Sequence, residues 1–538
     1  MNVLRGNDRA QWERDLPVYD EVRYRDLYPG VGMTVHERGG ALEYDVCLEP
    51  FADPQRLVMQ VDGASRLRLD PDGALVIETD AGMIRQDRPL TYEITPSGER
   101  LLVDSSFRLL DSFRFGFEVR GRDPSRALVI DPQLAYSTYL GGTGDDQGMG
   151  IAVDAAGAIY VAGYTFSSDL PTSAGAFDRS FGGSIDAFVV KLHPAGGGAS
   201  DLDYATFLGG SADDIATDIA VDGSGTAWII GNTQSSGFPT TPGAYDPVLT
   251  DTQETFVTAL TAAGDGLVYS TLFRGTEGSG IALFGDLYLS GRIYGPGLPV
   301  TPNAFDATFD GPTDGYLAQL HPAGQGASDL RYATYLGGSG HDGVAKLAVR
   351  DGQIYAAGLT TATNFPVTST AFDTSANGDY DGFVARLNPA GGGASDLVYS
   401  TYLGGASYDH VAAIAVDASG SVYVTGRTDS SDFPTRSALD ATGNGIDAFV
   451  AKLTLDPAGS GGEDLVSSTY FGGSARDWGT GIALTPVGTI CLAGFTDSAD
   501  FPVVNAYDPS FHGGFDAYLA TFDPALSQLL SSTYFGGN

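Results

Sequence analysis

Five aspartates, Asp146, Asp214, Asp342, Asp409 and Asp477, each stand four residues after a Gly-Gly pair. A carboxylate that returns at one place can do two kinds of work. It accepts backbone N–H bonds in a turn, or it joins other oxygens around a hard cation, which here would be Ca2+ held by Asp145 with Asp146 and by Asp213 with Asp214. The recurrence argues for the turn. The flanking positions differ from copy to copy: Asp145, Asp213, His341, Tyr408 and Arg476 precede the acids, and Gln147, Ile215, Gly343, His410 and Trp478 follow them.

That variation makes His341, Tyr408, His410, Arg476 and Trp478 candidate ligand-binding residues at equivalent places in successive copies. A His or Tyr base, an Arg to neutralise a carboxylate and an aromatic platform would suit a lyase or hydrolase acting on an acidic polysaccharide. In that reading His341, Tyr408, His410 and Arg476 are the catalytic set. The competing reading is that loop positions drift freely and carry no chemistry.

The elements that position these residues come from a phrase written seven times. YSTYLGG from Tyr136 returns as YATFLGG from Tyr204, YSTLFRG from Tyr269, YATYLGG from Tyr332, YSTYLGG from Tyr399, and SSTYFGG from Ser467 and Ser531, at spacings of 63 to 68 residues. Between copies the order of words is fixed. GIAVDAAGAIYVAGYT (150–165) reads as two β-rich runs around an Asp-x-x-Gly turn, a hairpin. A loop of about twenty residues with a recurring Pro follows, then DAFVVKL (186–192) as a third strand and the phrase itself as the fourth.

Four short antiparallel strands repeated in this way compose the blades of a β-propeller. The unit from Tyr269 is eroded, having lost the acidic loop and the Asp-x-x-Gly turn. Six full units need six copies of the phrase, so the copy from Tyr136 is in surplus. It closes a ring, joins a seventh blade completed by strands such as ALVIDP (127–132), or marks a longer natural chain.

Residues 1–134 lack the repeat and alternate through ALEYDVCLEP, RLVMQVDG, GALVIETD and FRFGFEVRG, the pattern of a β-sandwich-like domain. LDPDGAL (69–75) starts like a calcium loop without the rest of the EF-hand spacing, and reads as a hairpin turn. The fold class is therefore all-β: a β-rich domain over 1–134 and a propeller over 135–538, with repeats from 136, 204, 269, 332, 399 and 467 and a closing strand at 531–537.

A formal charge of −38 argues against nucleic acid, whose phosphates need clustered Lys and Arg, and against an anionic membrane surface. Cys47 and Cys491 are too few for a disulfide framework. No apolar run reaches the length of a membrane-spanning helix, and MNVLRGNDRA lacks the basic-then-apolar layout of a signal peptide. His193 and His321 sit in the strand-ending phrase HPAG and read as solvated turn residues. No GxSxG elbow, HExxH, Walker loop or dinucleotide fingerprint is present.

The words YSTYLGG-x-x-x-D, IAVD-x-x-G-x-x-YV-x-G, FP and DAFV-x-KL, recurring in order over residues 135–538, resemble the bacterial β-propeller repeat family abbreviated SBBP. The N-terminal part looks like the β-rich domain that commonly precedes these repeats. The resemblance implies a propeller in a secreted or cell-surface protein and no single activity. The leading expectation is an extracellular or cell-surface scaffold for recognition of a protein or polysaccharide. The alternatives are a carbohydrate-active enzyme with its site at the propeller mouth, and a structural protein stiffened by Ca2+.

Overall fold

The computed structural model describes residues 21–38, 41–61, 64–69, 73, 75–79, 82–86, 88–95, 100–131, 138–193, 201–459, 461–485, 488–504, 506 and 508–536. Its contacts divide into one unit over Met1–Tyr139 with Pro194–Asp201, and a second over Leu140–His193 with Leu202–Asn538.

In the first unit the alternating segments become strands, as in Asp104–Leu109, where Ser105 and Phe107 are buried between more exposed neighbours. A six-stranded sheet runs in the order Glu21–Tyr28, Val31–Arg38, Ala41–Leu48, Ala127–Asp131, Leu90–Ile94, Arg100–Leu102. With two three-stranded sheets it shares an apolar core that includes Val46, Leu48, Phe107, Phe117 and Ile130. Ala64–Leu69 pairs with Leu75–Thr79 as the two arms of a hairpin, and Asp70, Pro71, Asp72 and Ala74 of LDPDGAL lie outside the described residues. The seventh-blade expectation is corrected here: ALVID lies between Ala41–Leu48 and Leu90–Ile94, its edges already satisfied on both sides.

Among its described residues the second unit holds six four-stranded antiparallel sheets, each built from strands consecutive in the chain. Their first strands are Asp146–Val153, Asp214–Val221, Thr276–Phe284, Asp342–Arg350, Asp409–Val416 and Asp477–Leu484. The hairpins form as the turn chemistry dictates. Asp154 Oδ1 accepts from Ala156 N at 2.9 Å and Ala158 N at 3.0 Å, while Gly157 takes φ 86°, a conformation costly for any side chain. Asp417 and Gly420 repeat this arrangement. The phrase forms the fourth, edge strand in all six sheets, as in Leu397–Leu403 and Leu529–Phe535. Its first copy makes no strand over Thr138–Leu140, and Tyr136 and Ser137 lie outside the described residues.

Sheets join by one rule. An apolar residue of the third strand shares a buried cluster with the central apolar residue of the next sheet's first strand: Val189 with Ile219, Val257 with Ile281, Leu317 with Leu347, Val384 with Ile414, and Val450 with Ile482. The corresponding residues at the two ends, Ile151 of the first sheet and Leu519 of the last, are open to solvent.

Candidate functional site

The recurrent acids are committed to the turns. Gly142, Gly210, Gly338, Gly405 and Gly473 donate their backbone N–H to Asp146, Asp214, Asp342, Asp409 and Asp477 at 2.7–2.8 Å. Ser167, Ser235, Ser430 and Ser498 add hydroxyl bonds at 2.7–2.9 Å, and Thr360 takes that part for Asp342. Asp145 and Asp213 contribute backbone carbonyls, to Phe166 N and Gln234 N at 2.9 Å. Among the described residues no group of three or more His, Cys, Asp or Glu is placed to hold a metal ion.

A second acidic column went unremarked in the sequence, although the words DAFV, ETFV and DGYL carry it. Asp186, Glu254, Asp314, Asp381, Asp447 and Asp516 open the third strands and are buried. Each accepts a backbone N–H from the loop before it at 2.6–2.9 Å. At the junctions the two columns meet across the first glycine of the pair. A Cβ on Gly337 would stand 2.8 Å from Asp314 Oδ1 and 2.9 Å from Asp342 Oδ2; on Gly404, 2.6 Å from Asp381 Oδ1 and 2.9 Å from Asp409 Oδ2. The second glycine is equally confined, since a Cβ on Gly405 would meet Asp432 Oδ1 at 2.5 Å.

Burial, then the neighbouring carboxylates, pushes Asp314 and Asp447 up to about 6 and raises Asp186 and Asp381 in the same direction. Asp314 Oδ1 and Asp381 Oδ1 have no hydrogen-bond partner among the described residues.

The variable positions divide. Tyr408, His410 and Trp478 gather around a residue that sequence reasoning missed, Arg427. Its guanidinium carbon lies 4.8 Å from the Tyr408 ring centre and 5.0 Å from that of Trp478, and Asp429 holds it by two bonds of 2.7 Å. The signal was available: the residue before the last of each second strand varies as Tyr164, Asn232, Arg292, Leu359, Arg427 and Phe495, and it pairs across the hairpin with the second residue of the first strand, as Arg427 does with His410.

The stack continues in both directions. Tyr380 of the fourth sheet lies 5.1 Å from Tyr408, and in the sixth sheet Trp478 packs on Phe495 at 4.5 Å and Phe495 on Phe515 at 5.5 Å. Arg476 sits over Phe515 at 4.6 Å and is tied to Asp497 at 2.6 Å. His341 stands elsewhere, at the junction of the third and fourth sheets, with Nδ1 3.4 Å from Thr313 Oγ1. Burial, then Arg427, pushes His410 down to about 4, so it is neutral and only weakly basic at pH 7.

Between the second sheet and the eroded third lies a cavity of about 500 Å³ lined by Asp251, Gln253, Glu277, Tyr294 and glycine backbone. It opens because only two residues separate Phe273 from Thr276, where five separate Leu208 from Asp214. Glu277 is held there by Arg292 Nε at 2.7 Å, Tyr294 Oη at 2.8 Å and Gln253 Nε2 at 3.0 Å.

Residues 135–171 and 398–434 match the β-propeller repeat family, SBBP, and residues 1–133 match a domain of unknown function, DUF7948. The chain carries SBBP repeats behind a DUF7948 domain. The regulatory protein FlaEY of Caulobacter vibrioides is 27% identical to this repeat protein over 336 residues, 58% of this chain and 33% of that one. The chain thus spans about a third of the length of that curated relative.

Among solved structures, an acylaminoacyl peptidase of Pyrococcus horikoshii matches at 11% identity and a TM-score of 0.32, covering 86% of this chain and 53% of that one. The extracellular domain of a hybrid two-component system from B. thetaiotaomicron matches at 11% and 0.27, covering 94% and 66%. A Dyadobacter fermentans protein of unknown function matches at 12% and 0.29, covering 73% and 98%. These likenesses are too loose to fix fold or activity.

Proposed function

We propose that the SBBP repeats form six blades of a recognition scaffold, displayed outside the cell or on its surface, which binds a glycan or protein segment along the rings of blades four to six. The observation that carries this reading is the continuous stack from Tyr380 through Tyr408, Arg427 and Trp478 to Phe515. Aromatic faces and guanidinium planes bind sugar rings and apolar segments without catalytic machinery. Asp429 and Asp497 already neutralise Arg427 and Arg476, which favours a neutral glycan over an acidic one. A regulatory role, named for the Caulobacter relative, fits binding better than turnover.

Titration calorimetry against a glycan panel tests the proposal. Trp478→Ala and Tyr408→Ala are each expected to weaken binding about tenfold, the scale of one lost stacking contact; unaltered binding in both would reject the site. A second reading, a carbohydrate-active enzyme, is favoured by the carboxylates Asp251 and Glu277 in the 500 Å³ cavity. Product release abolished by Asp251→Asn or Glu277→Gln would decide for it.

A further inference from the structure

The cavity between the second and third sheets is built from the same places in the repeat as the aromatic stack. Glu277 and Arg292 face each other across their hairpin as His410 and Arg427 do, and as Trp478 and Phe495 do. Tyr294 follows its second strand as Asp429 and Asp497 follow theirs, and Gln253 precedes its third strand as Tyr380 and Phe515 precede theirs. Cavity and stack therefore lie at the same end of the strands.

They differ in what is covered. Trp478 lies 5.0 Å from Arg427, whose side chain is 26% exposed. At Arg292 the corresponding neighbour in the next sheet is Gly343, whose Cβ would stand 3.7 Å from Arg292 Cβ, and 53% of that arginine side chain is open. Tyr294, with the Arg292 guanidinium carbon 5.3 Å from its ring centre, is 52% exposed. The stack fills its own space with rings; the cavity holds the same positions open.

We propose that the cavity takes one neutral sugar unit of the glycan that lies along the stack, so that the two are subsites of a single extended site. This rests on the glycan reading of the stack. A volume of about 500 Å³ falls within the range of small-molecule sites, about 300–1,000 Å³. The Tyr294 ring offers a face to the apolar side of a sugar ring. Asp251, whose backbone N–H is donated to Glu254 Oε1 at 3.1 Å, keeps its carboxylate for sugar hydroxyls. Gln253 spends one amide hydrogen on Glu277 and has a second to donate. An anionic unit would meet Asp251 and Glu277, and a cationic one would find Glu277 already paired with Arg292; a neutral polyol uses the acceptors and the donor together.

Calorimetry on the full chain, with glucose, galactose and mannose and with their short linear oligomers, tests this. Asp251→Ala and Tyr294→Ala are each expected to weaken oligomer binding about tenfold and to abolish binding of the single sugar, and both positions are exposed, so neither change threatens folding. Trp478→Ala is expected to weaken the oligomer and leave the single sugar unaffected. Oligomer binding that falls with Trp478→Ala but not with either cavity variant would overturn the proposal and leave the stack reading standing. Binding that falls with the cavity variants alone would keep a sugar in the cavity and reject the stack. Cleavage of an oligomer, lost in Asp251→Ala, would overturn the proposal by making the cavity catalytic; so would spermidine bound through Asp251 with no sugar bound at all, by making it a cation site.

Discussion

Lowering the pH from 7.5 to 5 is expected to stabilise the repeat region, through Asp314 and Asp447. Both are buried, 1% and 2% exposed, and both are pushed up to about 6 by burial and by carboxylates that face them. Asp342, Asp306 and Asp310 surround the first; Asp477 and Asp440 face the second. In the unfolded chain each titrates near 3.8. A folded pKa above the unfolded one means that the stabilisation is complete below pH 3.8 and is lost as pH rises through 6.

Integrating that difference gives roughly 3 kcal/mol per residue at full protonation and roughly 1.4 kcal/mol per residue at pH 5 relative to pH 7.5. Other acids with raised values and the general charge repulsion push the same way, so the wild-type trend alone does not assign the effect. Asp314→Asn and Asp447→Asn do, since each keeps a carbonyl oxygen for Asp310 N or Asn444 N while removing the ionisation. Urea melts at both pH values should show the stability difference shrinking by about 1.4 kcal/mol per substitution. A double variant with an undiminished difference would refute the reasoning.

Three further outcomes follow from the same geometry. Gly404→Ala should destabilise by about 1–3 kcal/mol in thermal or urea melts, because its Cβ meets two carboxylate oxygens within 3 Å. Asp417→Ala removes the acceptor for Ser419 N and Ser421 N and should cost about 1 kcal/mol, a cost that shrinks as the pH falls below the ordinary carboxylate range, because the hydrogen bonds that outweigh burial hold this group below it. Adding EDTA should leave the melting temperature unchanged if the Asp146 and Asp214 carboxylates and the Asp145 and Asp213 carbonyls serve only the turns; a fall of several degrees would establish the calcium role.

The repeat was legible because its turns and edges are local. Asp-x-x-Gly specifies its own hairpin through bonds to residues two and four ahead, and strand alternation needs no distant partner. The Gly-Gly pair was readable as a word but not as a requirement: the reason for both glycines is a carboxylate from the preceding sheet and side chains from the loop after the second strand, contacts separated by some twenty residues. Arg427 was missed for the same cause. It stands on a second strand, whereas the candidates were aligned on the first, and only hairpin pairing sets it beside His410 between the Tyr408 and Trp478 rings.

The sequence by itself determined that the chain would make six four-stranded units, since periodic hydrophobicity and turn residues act over a few neighbours. Tertiary structure alone decided three things: that a second, buried column of acids meets the repeated ones, that Arg476 is tied to Asp497 and His341 stands apart from the stack, and that Ile151 and Leu519 remain open. Each depends on which sheet packs against which, a matter of long-range burial that no local pattern encodes.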